Sequence, residues 1–345
     1  MKILLYPFAM LYNLGTRVRN YLFDIGHKPS FQFEVMVISV GNLNVGGSGK
    51  TPMVEYIIRL LKDRFRIATL SRGYKRRTKG FRTASAEDTA LHLGDEPMQM
   101  QRKFGDQVHV TVGEDRVFAI PNILQEFPDT NVVIMDDAFQ HRAVNPQLTV
   151  LVTDFAHPFY KDHVMPFGRL REARRGAQRA DIIVVTKCPG DLNEETQQEF
   201  SQGIARYAPG KPVWFARVQY DEPLALGDKQ QMEQNIILVT GIAKTTPLLD
   251  FCKHKYQLVR HFQFDDHHHY TMQELEEIER CYRQQGAPCS ILTTEKDMVK
   301  LIADSFAGYI TRLPWFYIPI RQEFVKDGLK FDTLLLDAVM AHERK

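Results

Sequence analysis

Gly41-Asn42-Leu43-Asn44-Val45-Gly46-Gly47-Ser48-Gly49-Lys50-Thr51 is the stretch that decides the fold. Before it runs Val35-Met36-Val37-Ile38-Ser39-Val40, apolar and β-branched; after it Val54, Ile57, Ile58 and Leu61 recur at helical spacing. Strand, glycine loop and helix is the setting in which Gly-Lys-Thr binds phosphate. Glycines let the backbone wrap phosphate oxygens with no Cβ in the way, and the N–H groups at the helix start point at the anion. On this reading Asn44, Val45, Gly46, Gly47, Ser48, Gly49, Lys50 and Thr51 cradle a nucleotide. Lys50 reaches the β- and γ-phosphates and the Thr51 hydroxyl ligates Mg²⁺. Asn44 stands where the pattern usually has glycine, a substitution that Asn suits because it tolerates left-handed backbone.

Outward from the loop, strands and helices alternate, which predicts an α/β, P-loop NTPase-like fold with a mostly parallel sheet flanked by helices. Further strands are expected at 66–71, 108–112, 132–135, 148–152 and 182–186, with a polar loop over 78–89. Gly94-Asp95-Glu96-Pro97 reads as a helix start, with acids and a proline in the first turn. Near residue 220 the chain turns polar and turn-rich, and a linker is expected there. Strands at 236–240, 256–262, 290–293 and 315–320 and a helix over 272–284 then predict a smaller α/β domain. The division is an N-terminal helix over 1–30, a phosphate-loop domain over 31–220 and a smaller domain over 221–345. To which domain the final helix packs is left open.

The 345 residues are enough for two domains, and a formal charge of +2 carries no signature of a nucleic-acid binder. Cys188, Cys252, Cys281 and Cys289 have no C-x-x-C spacing, which argues against a zinc knuckle or disulfide framework. The N-terminus is apolar from Ile3 to Tyr12 apart from Pro7, with Arg17 and Arg19 beyond. It has no small-residue cleavage site and is too short to span a bilayer. On a helix, Phe8, Leu11, Tyr12, Gly15, Val18 and Leu22 share a face, with Arg17 and Asn20 away from it. Periodicity fits equally a helix lying in a membrane interface and one docked on its own core.

A phosphate loop needs a carboxylate from a neighbouring strand for Mg²⁺, and Asp136-Asp137 after Val132–Met135 answers that need. A GTPase would carry Asn-Lys-x-Asp; the nearest run, Thr186-Lys187-Cys188-Pro189, lacks the aspartate, which favours ATP.

Eight segments in this order carry a resemblance. They are Gly41–Pro52, Ser71-Arg72-Gly73-Tyr74, Gly94-Asp95-Glu96-Pro97, Asp136-Asp137-Ala138-Phe139-Gln140-His141-Arg142, Gly168-Arg169-Leu170-Arg171-Glu172, Val185–Pro189, Phe264–Thr271 and Thr293–Asp297. Together with the apolar-basic N-terminus, they resemble the tetraacyldisaccharide 4'-kinase (lipid A 4'-kinase) family over about residues 3–320. Ala138 stands where that family commonly has Gly, and Ala173 where it has Pro. The resemblance implies transfer of a phosphoryl group from ATP to the 4'-hydroxyl of an acylated glucosamine disaccharide 1-phosphate. It also implies a peripheral, monotopic enzyme on the cytoplasmic face of the inner membrane, with no obligate protein partner.

It further implies Asp95 as the base for the acceptor hydroxyl, paired with His267 of the second domain. From the residues alone Asp95 reads as a helix cap, and His267-His268-His269 invites a metal reading that adjacent side chains, pointing apart, resist. Arg171 is a candidate for gripping the transferring phosphoryl, and Glu172 for reaching Mg²⁺ or ordering Arg171. The cluster Arg72, Lys75, Arg76 and Arg77 meets either an anionic acceptor group or solvent. Glu295 and Asp297 are expected to hold the second domain against the first. Two other classes are a non-kinase P-loop ATPase coupled to a partner or to metal loading, and a membrane-bound regulator that binds nucleotide without turnover.

Overall fold

The computed structural model describes residues 2–228, 231–302 and 306–344. Helix α1 (Tyr6–Asp24) comes first, then β1 (Met36–Gly41), the phosphate loop, and α2 (Lys50–Leu61). They are followed by β2 (Ile67–Ser71), β3 (Arg82–Thr83), α3 (Ala90–Leu93), α4 (Asp95–Phe104), β4 (Val108–Val112) and α5 (Arg116–Glu126). Then come β5 (Val132–Asp136), β6 (Leu148–Asp154), β7 (Ile182–Thr186), α6 (Glu194–Ala205) and β8 (Val213–Tyr220). The second unit contains β9 (Leu224–Ala225), β10 (Asn235–Thr240), α7 (Thr246–Lys255), β11 (Gln257–Gln263) and α8 (Met272–Arg283). It continues through β12 (Cys289–Thr294), α9 (Glu295–Leu301), α10 (Ala307–Arg312) and β13 (Trp315–Ile318). The chain ends with β14 (Ile320–Phe324) and α11 (Gly328–Glu343).

The first sheet has nine strands in the order β14-β8-β7-β6-β1-β5-β2-β4-β3, parallel from β8 to β4 with an antiparallel strand at each edge. Every residue of β1, β5, β6 and β7 is buried, as expected for parallel strands covered on both faces. The predicted stripe of α2 faces inward: Val54, Ile57, Ile58 and Leu61 are all fully buried. β1 lies between β5 and β6, where the strand order reverses, and ligands of such sheets bind at the carboxyl edge there. Val40 pairs with Asp136, so the loop leaving β1 and the two aspartates leaving β5 emerge side by side.

The structure corrects the expected domain boundary. The second sheet, β11-β10-β12-β13-β9, closes at β13, and the chain then returns to the first domain. β14 pairs antiparallel with β8, a strand that the sequence reading had not recognised, and α11 seals the first core through Phe331, Leu335 and Val339. The second domain is therefore an insertion between β8 and β14, not a C-terminal unit over 221–345. Segment 78–89, read as a plain loop, contains β3 and is pinned by Asp88, which accepts from Arg82 at 2.5 Å and from Ser85.

Helix α4 joins the two domains. Lys103 Nζ donates to Glu55 of α2 and to Glu295 of α9, each at 2.7 Å, and Gln99 reaches the same two carboxylates. Glu295 thus crosses the interface as expected. Asp297 instead serves its own domain, accepting from the Gly241 N–H and the Thr294 hydroxyl. Burial, and next the charge of Glu55, push the Glu295 pKa up against the pull of Lys103.

Lys103→Met should leave two buried carboxylates facing each other and cost about 3 kcal/mol, the low end for breaking a buried pair because Lys103 is partly exposed. A carboxylate whose pKa is raised by folding destabilises above that pKa and ceases to do so near its ordinary value of about 4.3. The deficit in urea midpoint should therefore be largest near about pH 8 and shrink toward about pH 5. An equal deficit at both would mean that the two carboxylates do not depend on Lys103.

Candidate active site

The phosphate loop is built by residues on either side of it. Gly46 and Gly49 have φ of 100° and 83°, a region closed to most side chains, and a Cβ on Gly49 would meet Thr186 at 3.2 Å. Asn42, fully buried, donates through Nδ2 to the Asn44 carbonyl and the Ser48 hydroxyl, both at 2.7 Å, tying the ends of the loop together. The Val45 N–H donates to the Arg169 carbonyl, the Thr186 hydroxyl to the Ser48 carbonyl, and Lys187 Nζ to the Gly47 carbonyl. Asn44 does not use left-handed backbone, contrary to expectation. It bridges to Leu170, and its amide donates to Asp162 at 2.9 Å.

Lys50 opens α2 and lies 3.6 Å from Asp137, with Thr51 half-buried in the same turn. Arg171 grips both oxygens of Asp137, at 2.8 and 3.1 Å. Burial works to raise the Asp137 pKa, but Lys50 and Arg171 outweigh it and hold the group below the usual carboxylate range. Its neighbour behaves oppositely. Burial, then the charge of Glu96, push Asp136 up to about 7 against Lys50. Asp136 Oδ1 is buried with no hydrogen-bond partner. A carboxylate oxygen without a donor, beside a phosphate loop, is what a hard cation completes.

Glu172 does not come to this edge. Its oxygens are taken by Arg179 at 2.8 and 3.0 Å, by Gln140 at 3.2 Å and by Asn20 at 2.6 Å, and the residue is 2% exposed. The expectation of a metal ligand is corrected: with both oxygens satisfied, the carboxylate has no free lone pair to offer. It bears on Arg171 only through Gln140, whose Oε1 accepts from Arg171 at 3.3 Å.

Asp95 is not a helix cap. Gly94, at φ 94°, takes the N-cap position, and the Asp95 side chain turns to the second domain. There His267 Nδ1 donates to Asp95 Oδ2 at 2.9 Å. Lys296, a donor only, reaches His267 Nε2 at 3.1 Å, so Nε2 accepts and Nδ1 carries the proton toward Asp95. Burial raises the Asp95 pKa, but the His267 hydrogen bond and the charge of Lys300, 3.8 Å away, bring it below the ordinary value. The three histidines part company: His268 binds Glu274 and stacks on Phe264, while His269 is exposed. Among the described residues no group of three or more His, Cys, Asp or Glu is placed to hold a metal.

Asp95 and Glu96 together place the first turn of α4 between the two halves of the site, one toward His267 and the other toward Asp136. The basic cluster divides: Arg76 is spent on Glu114 and the Gly80 carbonyl, while Arg72, Lys75 and Arg77 are exposed. Four residues here had no role assigned from sequence: Asn42, Arg116, Gln140 and Lys296. Arg116 is 3% exposed; burial and then Arg72 draw its pKa down to about 10, opposed by Asp137 and Asp136. All but Arg116 lie inside the segments singled out above, so membership of those segments was the available signal.

Helix α1 docks the opposite way from an ordinary amphipathic helix. Its polar residues face the protein: Asn20 on Glu172, Arg19 on the Gln140 carbonyl at 2.7 Å, and the Tyr12 hydroxyl on the Arg171 carbonyl at 3.0 Å. Phe8, Leu11, Leu14, Val18 and Tyr21 face outward, each at least half exposed. Among the described residues no helix is long and apolar enough to cross a membrane.

A sequence profile of the family described as tetraacyldisaccharide-1-P 4'-kinase matches residues 1–340. A tetraacyldisaccharide 4'-kinase of Flavobacterium johnsoniae is 39% identical over 341 residues, covering 97% of this chain and 96% of its own. One from Bacteroides thetaiotaomicron is 40% identical over 359 residues, covering 99% and 94%. Among solved structures, an "apo" form of LpxK from Aquifex aeolicus in complex with ATP superposes with a TM-score of 0.75 at 27% identity, covering 98% of this chain and 99% of that one. The chain belongs to the tetraacyldisaccharide-1-P 4'-kinase family.

Proposed function

We propose that Asp95 and His267 form the base of a lipid kinase whose phosphate loop, Asn44 to Thr51, holds ATP. As a member of its family, the chain is a kinase that transfers the γ-phosphoryl group of ATP to the 4'-hydroxyl of a tetraacyl glucosamine disaccharide 1-phosphate, forming lipid IVA in lipid A biosynthesis. One observation supports the division of labour: the 2.9 Å contact between Asp95 and His267, made across the two domains. A P-loop ATPase driving a partner has no acceptor hydroxyl for such a pair, and the family match replaces that alternative.

Lys50 neutralises the β- and γ-phosphates. Arg171, held beside Lys50 by Asp137, meets the oxygens of the transferring phosphoryl, where charge is concentrated. The Thr51 hydroxyl and Asp136, with Asp137 beside them, would hold Mg²⁺, which would supply neutralising charge to the phosphates. Asp136 would be the more direct ligand, because both Asp137 oxygens are engaged by Arg171 while Asp136 Oδ1 has no hydrogen-bond partner. Asp95 accepts the proton of the acceptor hydroxyl through the oxygen that His267 leaves free, while Lys296 fixes the His267 tautomer. The outward apolar face of α1, with Arg17 exposed beside it, lies in the headgroup region of the cytoplasmic face of the inner membrane. It brings the kinase to an acceptor that does not leave the bilayer.

Transfer of ³²P from γ-labelled ATP to extracted acceptor lipid tests the whole reading. Lys50→Ala should remove most of that transfer at saturating lipid; near-normal turnover in the folded variant would remove the phosphate-loop kinase.

Asp95→Ala and His267→Ala should each lower kcat by about 10²–10⁴-fold with ATP affinity largely kept. Acting as one base, they should be non-additive, the double variant being little worse than the poorer single. Fully multiplicative losses would mean two separate roles.

Leu11→Asp with Leu14→Asp should cut recovery with anionic vesicles and leave ATP binding intact, since neither side chain packs on the core. Undiminished pelleting would exclude α1 as the main anchor.

A further inference from the structure

We infer that helix α1 is a positioning element for the catalytic arginine: Asn20 and Arg19 set Arg171 through Glu172 and Gln140. The inference rests on the role proposed above for Arg171.

The contacts form an unbroken path. Asn20 Nδ2 donates to Glu172 Oε2 at 2.6 Å, and Arg19 Nη2 donates to the Gln140 carbonyl at 2.7 Å. The amide of Gln140 then works in two directions. Its Nε2 donates to Glu172 Oε1 at 3.2 Å and to the Asn42 carbonyl at 2.9 Å, and its Oε1 accepts from Arg171 Nη1 at 3.3 Å. Chemistry fixes that orientation. A carboxylate and a carbonyl only accept, so Nε2 must face Glu172 and Asn42, and the oxygen is left for the guanidinium. Arg171 goes on to Asp137, at the phosphate loop, and Asn42 holds both ends of that loop.

Further contacts hold the helix to the same place. The Tyr12 hydroxyl donates to the Arg171 carbonyl, and Arg142 donates to the Asn20 carbonyl and to Asp24, the last two at 2.7 Å. Glu172 is buried and charge-paired with Arg179, so it is a rigid intermediary. Beside the buried Ala9, the inner face of α1 thus carries polar contacts aimed at the group that grips phosphate, which anchoring alone does not require. A helix serving as a membrane anchor turns its apolar residues out to the lipid, as this one does, and asks nothing specific of its inner face. Here that inner face carries the hydrogen bonds that end on Arg171.

The test uses the full-length protein with acceptor lipid in detergent micelles, so that delivery to a bilayer does not limit the rate. Asn20→Ala should lower kcat roughly 10- to 100-fold, the scale of a displaced catalytic group, with KM for ATP little changed. Its cosedimentation with phosphatidylethanolamine/phosphatidylglycerol vesicles should match the parent's. In an Arg171→Lys background the further loss from Asn20→Ala should vanish, because the guanidinium that the path positions is gone. Should Asn20→Ala not fold, Tyr12→Phe, which deletes one oxygen from a partly exposed side chain, carries the same cycle with a smaller loss. An unchanged kcat, a loss that multiplies with Arg171→Lys, or a loss that tracks vesicle binding would overturn the inference. Arg171→Lys as active as the parent would instead overturn the role of Arg171 itself.

Discussion

Lys103 sits between two carboxylates, Glu55 on the phosphate-loop helix and Glu295 at the start of α9, and this shared cation holds the two domains in one arrangement. Glu55 has Arg59 as well, but Glu295 has only Lys103 among its ion-pair partners in the described residues, so its charge in the buried seam depends on this cation. Its helix, α4, carries Asp95 and Glu96 about two turns earlier, so the register that seats Lys103 also aims Asp95 at His267. The Asp95–His267 contact and the domain seam are thus two outputs of one short helix. Gly94 makes this possible: at φ 94° it turns the chain so that α4 starts with its first acid facing out of its own domain.

Charge within the site is arranged as an unequal pair. Asp136 and Asp137 are adjacent in sequence but live in different environments. Asp137, at φ 50°, is swung toward Lys50 and Arg171 and kept ionised by them. Asp136 stays in the strand end, buried beside Glu96, where ionisation is costly without another cation. One carboxylate is thus already paired with the arginine, and the other still lacks a partner.

Helix α1 inverts the usual relation between amphipathicity and packing. The apolar stripe that ordinarily drives a helix onto a core here points to the outside, and the helix is held by three polar contacts to Gln140, Arg171 and Glu172 and two from Arg142. Those contacts are directional, so they fix position more tightly than greasy packing of the same area would.

The local pattern of the chain was enough for the phosphate loop, the inward stripe of α2, the parallel strands and the acids at the end of β5, because periodicity and glycine placement act over a few residues. The resemblance implied that Asp95 would pair with His267, and the two side chains lie 2.9 Å apart. Tertiary structure decided what local pattern cannot carry. β14 and α11 return to the first sheet because β8 offers an unpaired edge and α2 an uncovered side, neither of which is visible in residues 320–343 alone. Glu172 left the metal for Arg179 and Asn20, partners 7 and 152 residues away, because a buried carboxylate takes whatever donors the fold delivers. Which face of α1 turned inward was likewise undetermined by its periodicity, since a moment has the same size in either direction. It was settled by the acceptors waiting on the other segments, which exist as a surface only once the chain has folded.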